Sequence, residues 1–205
     1  MKNRRALYGV AAFLALLSPA VMANSPRECR QMALEGFDII SDTAATPAML
    51  ARGLELTRMA AEADDPVALN NLGYLAASGR LSNVPGLECD TLVSLSPQRA
   101  AYYYQRALSH RMTSAAINLL ELLKQYPDVK VPSESVAEAH MLIARAFALG
   151  NSVLPYDFDL AQTHFLEAAR LGNEDALRIV RETIGQFPDA YGNLTPEDEE
   201  LIFGE

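Results

Sequence analysis

This sequence is poorly supplied with the residues from which catalytic sites are usually built. Its 205 residues include two cysteines, three histidines and no tryptophan. His110, His140 and His164 fall on three separate segments, none with a second ligand four residues away, so the spacing of a metal site is missing. There is no Gly-x-Ser-x-Gly elbow, phosphate-cradling glycine loop or His-Glu-x-x-His motif, and neither cysteine stands in a nucleophile's context. No catalytic residue, metal or cofactor is therefore assigned, and an enzyme would need its catalytic groups scattered through the chain. The densest acidic run, Glu197-Asp198-Glu199-Glu200, lies at a helix start, where carboxylates offset the helix dipole. Runs of alternating Val, Ile and Thr are also lacking, which excludes a sheet.

Basic charge is scarce. Lys and Arg number 17 against 26 Asp and Glu, a formal balance of −9. The first 23 residues carry three of the basic residues (Lys2, Arg4 and Arg5) and no acid, so the chain from Asn24 onward has 14 against 26, or −12. Such a charge argues against nucleic acid or an anionic membrane surface as partner and suits a basic one. Only Leu7 to Leu17 forms an apolar run, well under the roughly 20 residues needed to span a bilayer. With its basic start, the Ser18-Pro19 break and small or aliphatic groups at Val21-Met22-Ala23, this stretch is read as a signal peptide cleaved after Ala23. The expectation is a periplasmic protein whose mature chain does not insert into a membrane. In that oxidising compartment Cys29 and Cys89 are expected to form a disulfide, with two buried thiols as the alternative. A bridge between them would restrict the unfolded chain by about 4 kcal/mol in the chain-entropy treatment.

What is abundant is helix punctuation. Ser25-Pro26, Thr46-Pro47, Asp65-Pro66, Ser96-Pro97 and Thr195-Pro196 each pair an N-cap oxygen with proline at the first helical position, where the missing N–H costs nothing. Ser135 with Glu138 offers a capping box, and Asp157 a further cap. The spacing predicts helices near 26–41, 47–63, 66–79, 97–111, 113–125, 134–149, 157–171, 173–186 and 196–203. Short connections force neighbours to pack antiparallel, with longer links from Arg80 to Leu95 and from Tyr126 to Pro132. The expected division is a leader over 1–23, a helical pair over 24–64, a repeat array over 65–185 and an acidic tail over 186–205. That tail is expected to end in one short, weakly attached helix.

Self-similarity sharpens the picture. Ser96 to Ala115 and Asp157 to Ala176 share a cap and alanines at matching positions. Ala68-x-x-x-Leu72-Gly73 has its counterpart in Ala139, Ile143 and Ala144, with Gly79 and Gly150 at the same offset. These residues resemble the Sel1-like repeats, relatives of the tetratricopeptide repeats. Ala68, Leu72, Gly73 and Gly79 match the first-helix pattern, with Ala76 where a tyrosine belongs. Arg99, Ala100, Tyr103, Arg106 and Ala107 match the second, as do Asp157, Ala161, Ala168, Ala169 and Gly172. The resemblance covers roughly Asp65 to Val180 and implies an all-α fold, a short α-solenoid of antiparallel helix pairs with extra N-terminal helices. Residues 134–149 fit either helix of a repeat.

In the "QRAAYYYQRAL" run the resemblance puts Tyr103 at the buried aromatic position, leaving Tyr102 and Tyr104 at a seam or near solvent as candidates for protein contact. It also implies that the first helix of each pair lines a concave side. Ala68, Leu72, Gly73 and Ala76 would then face inward and leave Asn70, Asn71, Tyr74 and Ser78 for the groove. Leu81, Val84 and Leu87 of the long insertion are further candidates for protein contact. Exported relatives imply a non-enzymatic protein that binds and inhibits a partner. The most specific expectation is an immunity protein against a type VI secretion toxin such as a lipase. An envelope adaptor or an unrecognised hydrolase are the alternatives.

Overall fold

The structure, a computed structural model, describes residues 25–80, 93–192 and 194–204. The leader, Cys89, Leu81, Val84 and Leu87 lie outside the described residues, so the pairing of Cys29 with Cys89 stays an expectation. Among the described residues there are nine helices and no strand: α1 (Pro26–Ser41), α2 (Pro47–Glu62), α3 (Pro66–Ser78), α4 (Pro97–Ser109), α5 (Thr113–Gln125), α6 (Ser133–Leu149), α7 (Phe158–Arg170), α8 (Glu174–Gln186) and α9 (Pro196–Phe203).

All five Ser/Thr/Asp-Pro pairs start a helix, and in each the cap oxygen accepts backbone N–H bonds. Each such cap is worth about 1 kcal/mol. Asp65 does more than cap. Its Oδ1 accepts from the N–H groups of Val67 and Ala68 at 2.9 and 3.0 Å, and its Oδ2 accepts from Arg30 Nε at 2.8 Å, tying α1 to the start of α3. The capping box expected at Ser135 does not form. α6 begins two residues earlier, because the Pro132 carbonyl already accepts the N–H groups of Ser135 and Val136. The Ser135 hydroxyl is turned to Gln105 Oε1 on α4 instead, at 3.2 Å.

Each helix packs on the next in an antiparallel series, a short α-solenoid. Three buried clusters follow one another along it. The first joins α1, α2 and α3 through Leu50, Leu54 and Leu69, the second centres on Tyr104 and Leu119, and the third on Met141, Val180 and Ile202. Alanines fill the seams, at 33, 60, 68, 100, 107, 115, 139, 144 and 168, which lets helix axes approach closely. α1 crosses α2 at close range. A Cβ on Gly36 would lie 2.5 Å from Thr57 Oγ1 and 2.7 Å from the Gly53 carbonyl oxygen.

The position of α6 is settled by its partners. It packs most extensively on α7, as α3 does on α4, so it takes the first-helix role. Ala139, Ile143 and Ala144 are buried like Ala68, Leu72 and Gly73. A larger duplication accompanies this. α4 and α7 start at Pro97 and Phe158, and α5 and α8 at Thr113 and Glu174, each pair 61 positions apart. At the same interval come two matching turns, Gln125-Tyr126-Pro127-Asp128 and Gln186-Phe187-Pro188-Asp189. The two C-cap residues have φ/ψ of −130/76° and −135/84°. The unit that repeats is thus α3-α4-α5 followed by α6-α7-α8, three helices each.

The acidic tail is not loosely held. Ile202 is buried in the third cluster beside Met141 and Phe165. Asp198, within the run read as dipole compensation, is only 2% exposed, and both its oxygens accept from Arg170, at 2.7 Å each. Arg181 Nε donates to the Ile202 carbonyl at 2.6 Å. The acid at the third helical position points inward because it closes a capping box with Thr195.

Candidate functional site

The odd-numbered helices α1, α3 and α5 together wall a groove of about 750 Å³. Such a volume falls within the roughly 300–1,000 Å³ typical of ligand clefts. The end of α1 contributes Phe37 and Ile40. α3 contributes Asn70, Asn71, Tyr74 and Ser78, and α5 contributes Asn118, Glu121 and Gln125, with Tyr126 just beyond. Helical periodicity produces this split on α3. Ala68, Leu72, Gly73 and Ala76 point into the core, and the residues between them are left for the groove.

The tyrosines of the triple run separate, though not as the resemblance implied. Tyr104 is the buried ring, 2% exposed, whereas Tyr103 is half-buried and Tyr102 is 54% exposed. The reason is a lock between α4 and α3: a Cβ on Gly73 would meet Tyr104 Cε1 at 2.4 Å, so the ring occupies the space a side chain would need. Tyr104 therefore forms the groove floor and offers almost no contact surface. Burial pushes its hydroxyl pKa up, and the nearby Tyr74 hydroxyl adds to the effect. Tyr74 itself projects from the wall at 53% exposed. Tyr102 is not on the groove. Its ring stacks obliquely on Tyr103 (centroids 5.5 Å apart) and lies under the Arg106 guanidinium at 5.7 Å, while Arg106 also reaches Asp64 Oδ1 and the Ala61 carbonyl. That arrangement fastens α4 to the α2–α3 turn.

Along the groove, Asn118 Nδ2 donates to Asn70 Oδ1 at 2.9 Å. Asn71 Nδ2 is buried without a partner. Among the described residues, the charged groups on the wall are one acid, Glu121, and one base, Arg80.

Spacing in sequence concealed one constellation. His140 on α6 and His164 on α7 meet with their Nδ1 atoms 2.9 Å apart, and Phe147 stacks on His164 at 5.9 Å and 23°. The partners come from two helices, so no window of a few residues could reveal them. Among the described residues no third acid, cysteine or histidine joins them as a metal group. Burial lowers both pKa values, that of His164 to about 4, where His140 adds to the effect; Glu167 works against the shift and Lys124 with it. A short Nδ1–Nδ1 contact needs one nitrogen as donor and the other as acceptor, so full protonation of the pair breaks it.

The sign follows from linkage. Between about pH 6.5, the unperturbed histidine value, and pH 4 the unfolded chain binds protons that the folded pair refuses, so stability falls as pH falls. The loss is about 1–2 kcal/mol, less than the full shift because the rings are partly solvated. Thermal melts of His164→Phe should be flatter between these pH values than those of the parent; equal slopes would show that the pair does not titrate this way.

No protein-family model matches the chain, and no curated protein matches it by sequence. Among solved structures it is similar to the crystal structure of a Sel1 repeat protein from Oxalobacter formigenes. The sequence identity is 16% and the TM-score 0.39, over 83% of this chain and 68% of that one. What defines the array is internal: its own helix pairs, caps and repeated turns.

Proposed function

We propose that this protein is a non-enzymatic scaffold that holds a partner protein on the face formed by α1, α3 and α5. The observation behind this is the groove itself: helix-repeat folding turns a continuous row of polar and aromatic side chains outward along one side. Tyr74, one of its exposed aromatics, has the character of an interface anchor. In its specific form, the protein is exported, cleaved after Ala23, and blocks one periplasmic partner. The best-fitting case is an immunity protein that neutralises a type VI secretion toxin such as a lipase effector. The net charge of −9 supports a partner that is basic outside the contact, since opposite fields speed encounter.

The test is a pull-down from periplasmic extract with the chain from Asn24 onward, with and without reductant. Recovery of one stoichiometric soluble partner, weakened about tenfold by Tyr74→Ala (roughly 1.4 kcal/mol), supports the proposal. A large membrane assembly as the recovered material would make the protein an adaptor instead. Binding indifferent to Tyr74→Ala would remove the groove from the account.

A further inference from the structure

His140 and His164 stand at positions where this fold does not need histidine. Ala139 on α6 is the counterpart of Ala68 on α3, and α7 follows α4 at an interval of 61. The two histidines therefore correspond to Leu69 and Tyr103 in the first unit. Leu69 is fully buried in the first cluster, and Tyr103 packs against that same cluster. One unit closes this seam with an aliphatic and an aromatic side chain. The other closes it with two imidazoles whose Nδ1 atoms meet at 2.9 Å. Packing alone does not account for the difference.

The spacing suits a metal ion. Two nitrogens bound at right angles, each by a bond of roughly 2.0–2.1 Å, stand about 2.9 Å apart, whereas a tetrahedral ion spreads them to about 3.3 Å. The observed separation is thus that of adjacent corners of a square or an octahedron, the geometry of Cu(II) and Ni(II). Ring centroids 5.0 Å apart set the nitrogens nearly head-on. The terminal torsion of histidine is broad, so a modest swing of each ring aims both lone pairs at one point beside the line joining them. The ring that donated its Nδ1 proton then carries it on Nε2, and no proton has to leave the pair.

Charge and access agree with this. Burial keeps both rings neutral at pH 7, and neutral imidazole is the form that ligates a metal. Glu167 on α7 places a negative charge near both rings, and Lys124 on α5 a positive one that opposes it. Both histidines are half-buried, which leaves an open side where water completes the coordination.

We infer that His140 and His164 together bind one divalent transition-metal ion through their Nδ1 atoms, as a clasp between α6 and α7. Imidazole ligands and right-angle geometry favour Cu(II) first, with Zn(II) weaker. The site is separate from the groove and independent of the partner-binding reading.

The experiment titrates the purified full chain with Cu(II), Ni(II) and Zn(II) salts by calorimetry, and records the EPR spectrum of the Cu(II) form. Expected are one Cu(II) per chain, two nitrogen donors in its spectrum, and tighter binding of Cu(II) than of Zn(II). The double variant His140→Leu, His164→Tyr copies the first unit, so it should fold and lose the Cu(II) site. In the parent protein, Cu(II) should broaden NMR signals around residues 140 and 164 before any others, a readout that needs no variant. A folded double variant that still binds Cu(II) equally well would overturn the inference. So would a spectrum with fewer than two nitrogens, broadening centred elsewhere (on His110 and Asp64, for example), or the absence of stoichiometric binding.

Discussion

Replacing Arg170 by methionine is expected to release α9 from the body of the protein. Asp198 is almost wholly buried, and Arg170 satisfies both of its oxygens. What remains after the substitution is the Thr195 cap, whose N–H and hydroxyl donate to Oδ2 at 3.0 and 2.8 Å. Stranding a buried carboxylate costs about 3–5 kcal/mol. α9 is short and terminal, so the chain escapes this cost by letting the helix go and rehydrating the acid. Amide exchange across Pro196–Phe203 should therefore rise strongly while α3 to α5 stay protected. Adding Asp198→Leu should restore most of the loss, because an apolar pair of similar volume replaces a buried ion pair with little penalty. Protection unchanged in Arg170→Met would mean that the burial of Ile202 and the Arg181 bond to its carbonyl hold the helix without Arg170.

The same contact gives an acid limit. Arg170 keeps the Asp198 carboxyl well below its ordinary value, with the Thr195 bonds adding to it. A lowered folded pKa contributes stability that is complete above the unfolded value of about 3.9 and is lost as pH falls through the folded one. Detachment of α9 by acid should begin below about pH 4.

Gly36→Ala is expected to cost about 2 kcal/mol or more and lower the melting temperature by roughly 4–8 °C for a chain of this size. Two effects compete. Alanine in a helix interior gains about 0.5–1 kcal/mol over glycine. Against this, the new Cβ meets Thr57 Oγ1 and the Gly53 carbonyl, and the second is backbone that cannot give way without parting α1 from α2. Steric cost wins. Gly185 on α8 serves as the control, because a Cβ there meets nothing within 4 Å. Gly185→Ala should stabilise by about 0.5–1 kcal/mol. Equal effects at the two sites would show that the α1–α2 crossing is looser than described.

Local chemistry made the helices legible. Ser-Pro, Thr-Pro and Asp-Pro pairs act within one turn of chain, so the starts of α1 to α4 and of α9 could be read directly. Failures arose where the deciding partner was distant. Ser135 bonds Gln105 across two helices, His140 finds His164 on another helix, and Asp198 is claimed by Arg170 rather than by water. Tyr104 rather than Tyr103 is buried because Gly73, on a different helix, leaves room for it. The groove was half legible. The family resemblance pointed to Asn70, Asn71 and Tyr74 on α3, but the opposite walls on α1 and α5 depend on packing order. The duplicated Gln-Tyr-Pro-Asp and Gln-Phe-Pro-Asp turns were visible in the chain, and comparing C-termini as well as N-caps would have found them.

A repeat of three helices has a geometric corollary. In an up-down series an odd-numbered unit hands the chain on in the opposite direction, so α6-α7-α8 runs head-down where α3-α4-α5 runs head-up. Copying one further unit would invert whatever follows it, and only copying two would preserve polarity. The array is therefore one whose length could change without reversing its end in steps of six helices, and whose two halves present opposite ends to the same side.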